Sequence, residues 1–136
     1  MFLQELKMEQ RDLFLDLCIA VSSSDNEFSN SEKGLIKQLC AEMMIKERYQ
    51  IISEIDKTID KLAEMSTQKE KRIMLIELAG IILVDGKYVE EEKEFIDKIG
   101  EKFSVPSDDI EKMMKIVLEL YGVYGKIGAY LNGETV

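Results

Sequence analysis

The chain has 136 residues, 46% hydrophobic and 33% charged, with one proline and no tryptophan, which suits a single domain that buries its core without staples. Its wealth of Glu, Lys, Leu, Ile and Met points to an all-α protein. The formal net charge of −9 argues against nucleic acid, whose phosphates would be repelled, and fits cations, a basic protein surface or simple solubility.

A first helix is predicted over residues 3–21, where Leu6, Leu13, Phe14, Leu17, Cys18, Ala20 and Val21 recur at spacings of three and four. Its early part, residues 7–12, is polar and expected to be solvated. The run Ser22-Ser-Ser-Asp-Asn26 stops it, because these side chains compete for backbone hydrogen bonds. A second helix restarts near Ser29, where Ser29 and Glu32 read as a capping box, and turns Leu35, Ile36, Leu39, Cys40, Met43 and Met44 inward. A junction at residues 45–50 leads to a third helix with Ile51, Ile52, Ile55, Ile59 and Leu62 facing the core.

Thr67 and Glu70 form a second capping-box signal and open a fourth helix. Within it, residues 73–84 are apolar or Gly except for Glu77, so this helix belongs in the centre of a bundle. Glu77 calls for a Lys or Arg partner or an exposed groove. Asp85-Gly86 breaks the pattern with a turn. A fifth helix is expected from near Val89 to Lys102, with Phe95, Ile96 and Ile99 inward. Val105-Pro106-Ser107 is the one proline break, with Ser107 a good N-cap. The sixth helix turns Ile110, Met113, Met114, Val117, Leu118 and Tyr121 inward. The tail from Gly122 holds four of the eight glycines. Its Val123, Tyr124, Ile127, Tyr130 and Leu131 are expected to pack on the core as a short helix, the alternative being a partner.

The segment from Asp25 aligns without a gap on the segment from Asp85, sixty residues later. The shared pattern is D-x-x-[FY]-x-x-x-E-K-x-[LF]-I, which joins Asp25, Phe28, Glu32, Lys33, Leu35 and Ile36 to Asp85, Tyr88, Glu92, Lys93, Phe95 and Ile96. Upstream, Leu13 matches Ile73, Leu15 matches Leu75 and Ala20 matches Gly80. The fold class predicted is therefore a single all-α bundle of six to seven helices with an internal pseudo-two-fold repeat, its halves being residues 3–65 and 67–121 and its tail residues 122–136.

The acidic turns admit two readings. Asp25 with Glu32, and Asp85 with Glu92, resemble the second half of a calcium loop, but Ile81 and Leu83 stand where the first half would need oxygen ligands. One turn alone is too poor in carboxylates. If the repeat brings the turns together, Asp25, Glu32, Asp85 and Glu92 would pool four carboxylates for an oxygen-loving ion, Ca2+ or Mg2+. In the other reading each Asp caps its turn and each Glu favours a helix N-terminus. Zinc is not expected, since there is no histidine and no C-x-x-C pair. Cys18 and Cys40 read as buried free thiols, which fits a cytoplasmic location. No signal peptide is recognisable, and the apolar run at residues 73–84 is too short to span a bilayer.

An apolar helix ending in Asp-Gly or Asp-Asn, then an aromatic residue, then Glu in a new helix, resembles the TerB-like family of tellurite-resistance proteins and related helical domains. The likeness is clearest over residues 78–99, recurs more weakly over residues 18–39, where Asn26 stands in place of Gly, and extends through Val105-Pro-Ser-Asp-Asp-Ile110. The resemblance implies an all-α fold with internal symmetry, a stress-response role without catalytic activity, and acidic residues that bind a divalent metal. Two functions follow as expectations: a non-catalytic, cation-responsive stress module, or a metal-independent domain that docks a basic or helical protein partner. An enzyme is the weakest reading, because no nucleophile elbow, phosphate loop or metal-plus-base constellation is present.

Overall fold

The computed structural model describes residues 1–22, 30–84 and 88–134. Six helices make up the architecture, and no strand occurs among the described residues: α1 (Met8–Ser22), α2 (Asn30–Met43), α3 (Ile55–Met65), α4 (Gln68–Leu83), α5 (Glu90–Lys102) and α6 (Ser107–Leu131). A short 3-10 turn, Leu3–Glu5, precedes α1, so the predicted first helix is broken near Leu6.

α4 lies at the centre, as its apolar sequence requires, and packs on α1, α5, α6 and the N-terminal turn. Its Met74, Leu75, Leu78, Ala79 and Ile82 are essentially inaccessible. They join Phe14, Leu15 and Leu17 of α1, Ile36 and Met43 of α2, and Ile59 and Leu62 of α3 in one core. Each large apolar side chain buried in this way contributes roughly 1.5–3 kcal/mol. The predicted capping box opens α4: Thr67 Oγ1 accepts from the Glu70 amide at 3.2 Å, and Glu70 Oε1 accepts from the Thr67 amide at 2.8 Å. Burial would raise the Glu70 pKa, but bonds from Thr67, Gln10 and Lys7 together bring it down to about 2.

The two halves share their main pairings, and the second half adds packing of α5 on α6. α1 packs on α2 and α3, α4 packs on α5 and α6, and α1 joins α4 across the middle. Their second helices also end alike. Ile45 N–H donates to Cys40 C=O at 3.1 Å and Met44 N–H to Ala41 C=O; sixty residues on, Val105 N–H donates to Gly100 C=O at 2.8 Å and Ser104 N–H to Glu101 C=O. These are two Schellman motifs, and each places a non-glycine residue in the left-handed region, Met44 at φ 56° and Ser104 at φ 60°.

After these caps the halves diverge. The expected helix over Ile51 and Ile52 is not formed, and both side chains are exposed. The cause is Asp16, a buried carboxylate of α1 that needs partners. Asp16 Oδ1 accepts from Arg48 Nη1 at 2.5 Å and from the Ile52 amide at 3.2 Å, and Oδ2 accepts from Ser53 Oγ at 2.5 Å. These bonds hold residues 48–53 outside a helix, and α3 starts only at Ile55. Gln10 and Arg11, expected in solvent, are buried for a similar reason. Arg11 donates to the Leu6, Met43 and Gln4 carbonyls, and Gln10 donates to Ser66 Oγ and Glu70 Oε1. In the second half only Val105 and Pro106 separate the Schellman residue Ser104 from α6, with Pro106 rather than Ser107 at the N-cap position.

Candidate functional site

Of the four predicted cation ligands, Asp25 and Asp85 lie outside the described residues, as does Ser29 of the predicted capping box. Glu32 sits in the first turn of α2 and Glu92 in the first turn of α5. Glu92 Oε1 accepts the Val89 amide at 3.1 Å, a hydrogen bond that serves the start of its own helix. Beside it, burial and the nearby carboxylates of Asp97, Glu111, Glu90 and Glu92 push the Tyr88 phenol pKa up. Among the described residues no group of three or more His, Cys, Asp or Glu side chains is placed to hold a metal ion. Cys18 and Cys40 are free and buried, as expected, and burial raises both thiol pKa values.

Among the described residues Glu77 meets neither Lys nor Arg. Its Oε1 accepts from the α-amino group of Met1 at 2.7 Å and from the Phe2 amide at 3.1 Å. Glu42 shares the amino group at 2.7 Å and accepts the Leu3 amide at 2.9 Å. Burial would lower the pKa of that amino group, but the two carboxylates raise it above its ordinary value. The N-terminal turn is thereby held against α2 and α4, beside α6.

The most distinctive surface lies on α6. The tail does not fold back on the core; residues 122–131 simply continue the helix, and from Gly122 on no described residue is buried. Tyr121 makes the last anchoring contact, donating its hydroxyl to the Gly80 carbonyl at 2.7 Å. Beyond it Val123, Tyr124, Ile127, Tyr130 and Leu131 are 48–75% exposed, and Leu118, expected inward, is exposed too. With three glycines in ten residues and no described residue buried beyond Tyr121, this part of the helix loses about 1 kcal/mol per glycine relative to alanine. Such a segment needs tertiary or intermolecular packing to be stable.

This apolar surface continues into a groove between α4 and α6. One cavity of about 290 Å³ is lined by Phe2, Glu77, Gly80, Val117, Leu120 and Tyr121, among others. A second of about 240 Å³ is lined by Arg72, Leu75, Val105 and Met113. Ile76 and Ile116 line both, so the two hollows lie side by side along the helix pair. Hollows of this size and character suit side chains of an apolar helix. Of the two expectations for the tail, packing on the core is not met, and the signal for the other lies in the spacing. Met113, Ile116, Leu120, Val123, Ile127 and Tyr130 follow one another at three, four, three, four and three, which makes one stripe on a helix.

No helix among the described residues is long and apolar enough to cross a membrane. Comparison of the chain with protein-family models, curated proteins and solved structures gives no match.

Proposed function

We propose that the chain is a non-catalytic interaction module that docks an apolar helix on α6 and the adjoining α4–α6 groove. The observation that carries this reading is the apolar stripe from Met113 to Tyr130, half-buried at Met113 and Leu120 and exposed at Ile116, Val123, Ile127 and Tyr130, which borders two hollows and runs onto a glycine-containing stretch of helix in which no described residue is buried. Contiguous apolar surface of this kind marks an interaction site rather than ordinary surface scatter. Helix-in-groove recognition reads anchors at spacings of three and four, which is the pattern presented here. A stress-response setting rests on the TerB-like resemblance alone. Divalent-cation binding by Asp25, Glu32, Asp85 and Glu92 has no supporting observation among the described residues, and the Glu92 hydrogen bond to Val89 favours the capping reading of that residue.

The test is site-specific photocrosslinking in cells that make the protein, with the probe in place of Tyr124 and, as control, of the exposed Lys61 on α3. Discrete adducts from position 124 and none from position 61 are expected. Absence of any adduct at position 124 would remove the docking proposal.

A further inference from the structure

We infer that the helix docked on α6 is α6 of a second copy of this chain, running antiparallel. This rests on the docking proposal above and names its partner. A stripe that repeats at three and four residues is the seam of a two-stranded coiled coil. In an antiparallel pair with a two-fold axis beside Tyr121 and Gly122, Leu120 faces the partner's Val123, Ile116 faces the partner's Ile127, and Met113 faces the partner's Tyr130. Every layer of the seam is then apolar.

Charge fixes that register. The residues that flank the seam on one side are Lys112, Glu119 and Lys126. The antiparallel register that aligns the apolar layers also sets Glu119 beside the partner's Lys126 and Lys126 beside the partner's Glu119. A parallel pair would lack this match, because the opposite flank carries Val117, Tyr124 and Leu131. On that apolar flank the partner's Tyr124 comes alongside buried Val117, which lines the 290 Å³ hollow together with Glu77, Gly80 and Tyr121. Each projecting helix end would thus lie along the other copy's groove, and residues 122–131 would gain the packing they lack in one copy. Gly122, Gly125 and Gly128 fall outside the seam, consistent with the open space around each. The seam is roughly 27 Å long at the α-helical rise. It is only one helix wide, so a dissociable rather than an obligate dimer is expected.

The experiment is sedimentation equilibrium of the full chain over about 5–200 µM, a range wide enough for mass action to reveal the dimer. It compares the native protein with Glu119→Lys, Lys126→Glu and the double variant. Both positions are exposed, so circular dichroism should show all four proteins equally folded. Self-association of the native chain, weakened about tenfold by either single reversal and restored in the double variant, is expected, since each reversal creates two like-charge pairs and the double variant recreates both opposite pairs. A native chain that stays monomeric throughout, or a dimer indifferent to the reversals, would overturn the inference. With a monomeric native chain, crosslinks from position 124 to a different protein would leave the docking proposal standing. Absence of both self-association and crosslinks would end it as well.

Discussion

The two halves of this chain share a plan up to the end of their second helix and then part. α2 and α5 stop in the same Schellman motif, with Met44 and Ser104 in equivalent left-handed positions. The first half then uses residues 45–54 for an irregular crossing and finishes in a short helix, α3 (Ile55–Met65). The second turns at Val105-Pro106 directly into α6 (Ser107–Leu131), more than twice as long as α3. The shared part is what burial demands: Ile36 and Ile96, Leu39 and Ile99, and Met43 and Phe103 occupy matching core positions. The surplus of α6 buries nothing in one copy. A segment that the core does not need, apolar on its free face, is where a function in binding belongs.

The connections account for the difference. In the second half α5 packs on α6 so closely that position 100 favours Gly: a Cβ there would lie 2.2 Å from Ile110 Cδ1, which would have to shift, and 3.2 Å from the Val105 carbonyl. In the first half the crossing carries α3 away from α2, and the equivalent position accommodates Cys40.

The largest expected effect is on the first half's own device. Asp16→Ala removes the carboxylate that binds Arg48, the Ile52 amide and Ser53, and should cost about 3–5 kcal/mol, as loss of one member of a buried ion pair does. Urea denaturation measures it; a loss below the cost of an ordinary surface substitution would show that the 48–53 segment does not depend on Asp16. Next is Gly100→Ala, which overpacks the α5–α6 corner and should cost about 1–3 kcal/mol. The matched change Gly125→Ala, made in open space on the same helix as Ile110, should instead stabilise by nearly 1 kcal/mol. Smallest per site are Met44→Gly and Ser104→Gly. Each relieves a left-handed residue and should gain about 1 kcal/mol if its side chain contributes no packing. Exposed Met44 should show the gain at least as fully as Ser104, and opposite signs at the two sites would break the equivalence of the caps.

Much of the bundle was legible because its signals are local. Residues 73–84 announce a central helix by composition, Thr67 and Glu70 announce its start, and the D-x-x-[FY]-x-x-x-E-K pattern announces the repeat. Where the reading failed, the deciding partner lies far along the chain. Ile51, Ile52, Ile55 and Ile59 have helical spacing, yet Asp16, more than thirty residues away, bonds the Ile52 amide, and the first two lie outside the helix. Arg11 and Gln10 look like surface residues until Met43, Gln4, Ser66 and Glu70 supply their bonds. On the candidate site, the glycines of the tail suggested a break from α6. In a helix each glycine is a modest cost rather than a stop, and the three-four stripe that runs through them carried the better information. Asp25 and Asp85, on which the pooled-carboxylate expectation depends, lie outside the described residues.

The measurement closest to the centre of this account is amide hydrogen exchange across residues 122–131 as a function of protein concentration. Protection that is weak in dilute protein and rises with concentration, while that of α4 stays constant, is the predicted result. Protection that is the same at every concentration would contradict it, since the order of the outer half of α6 would then not depend on a second copy.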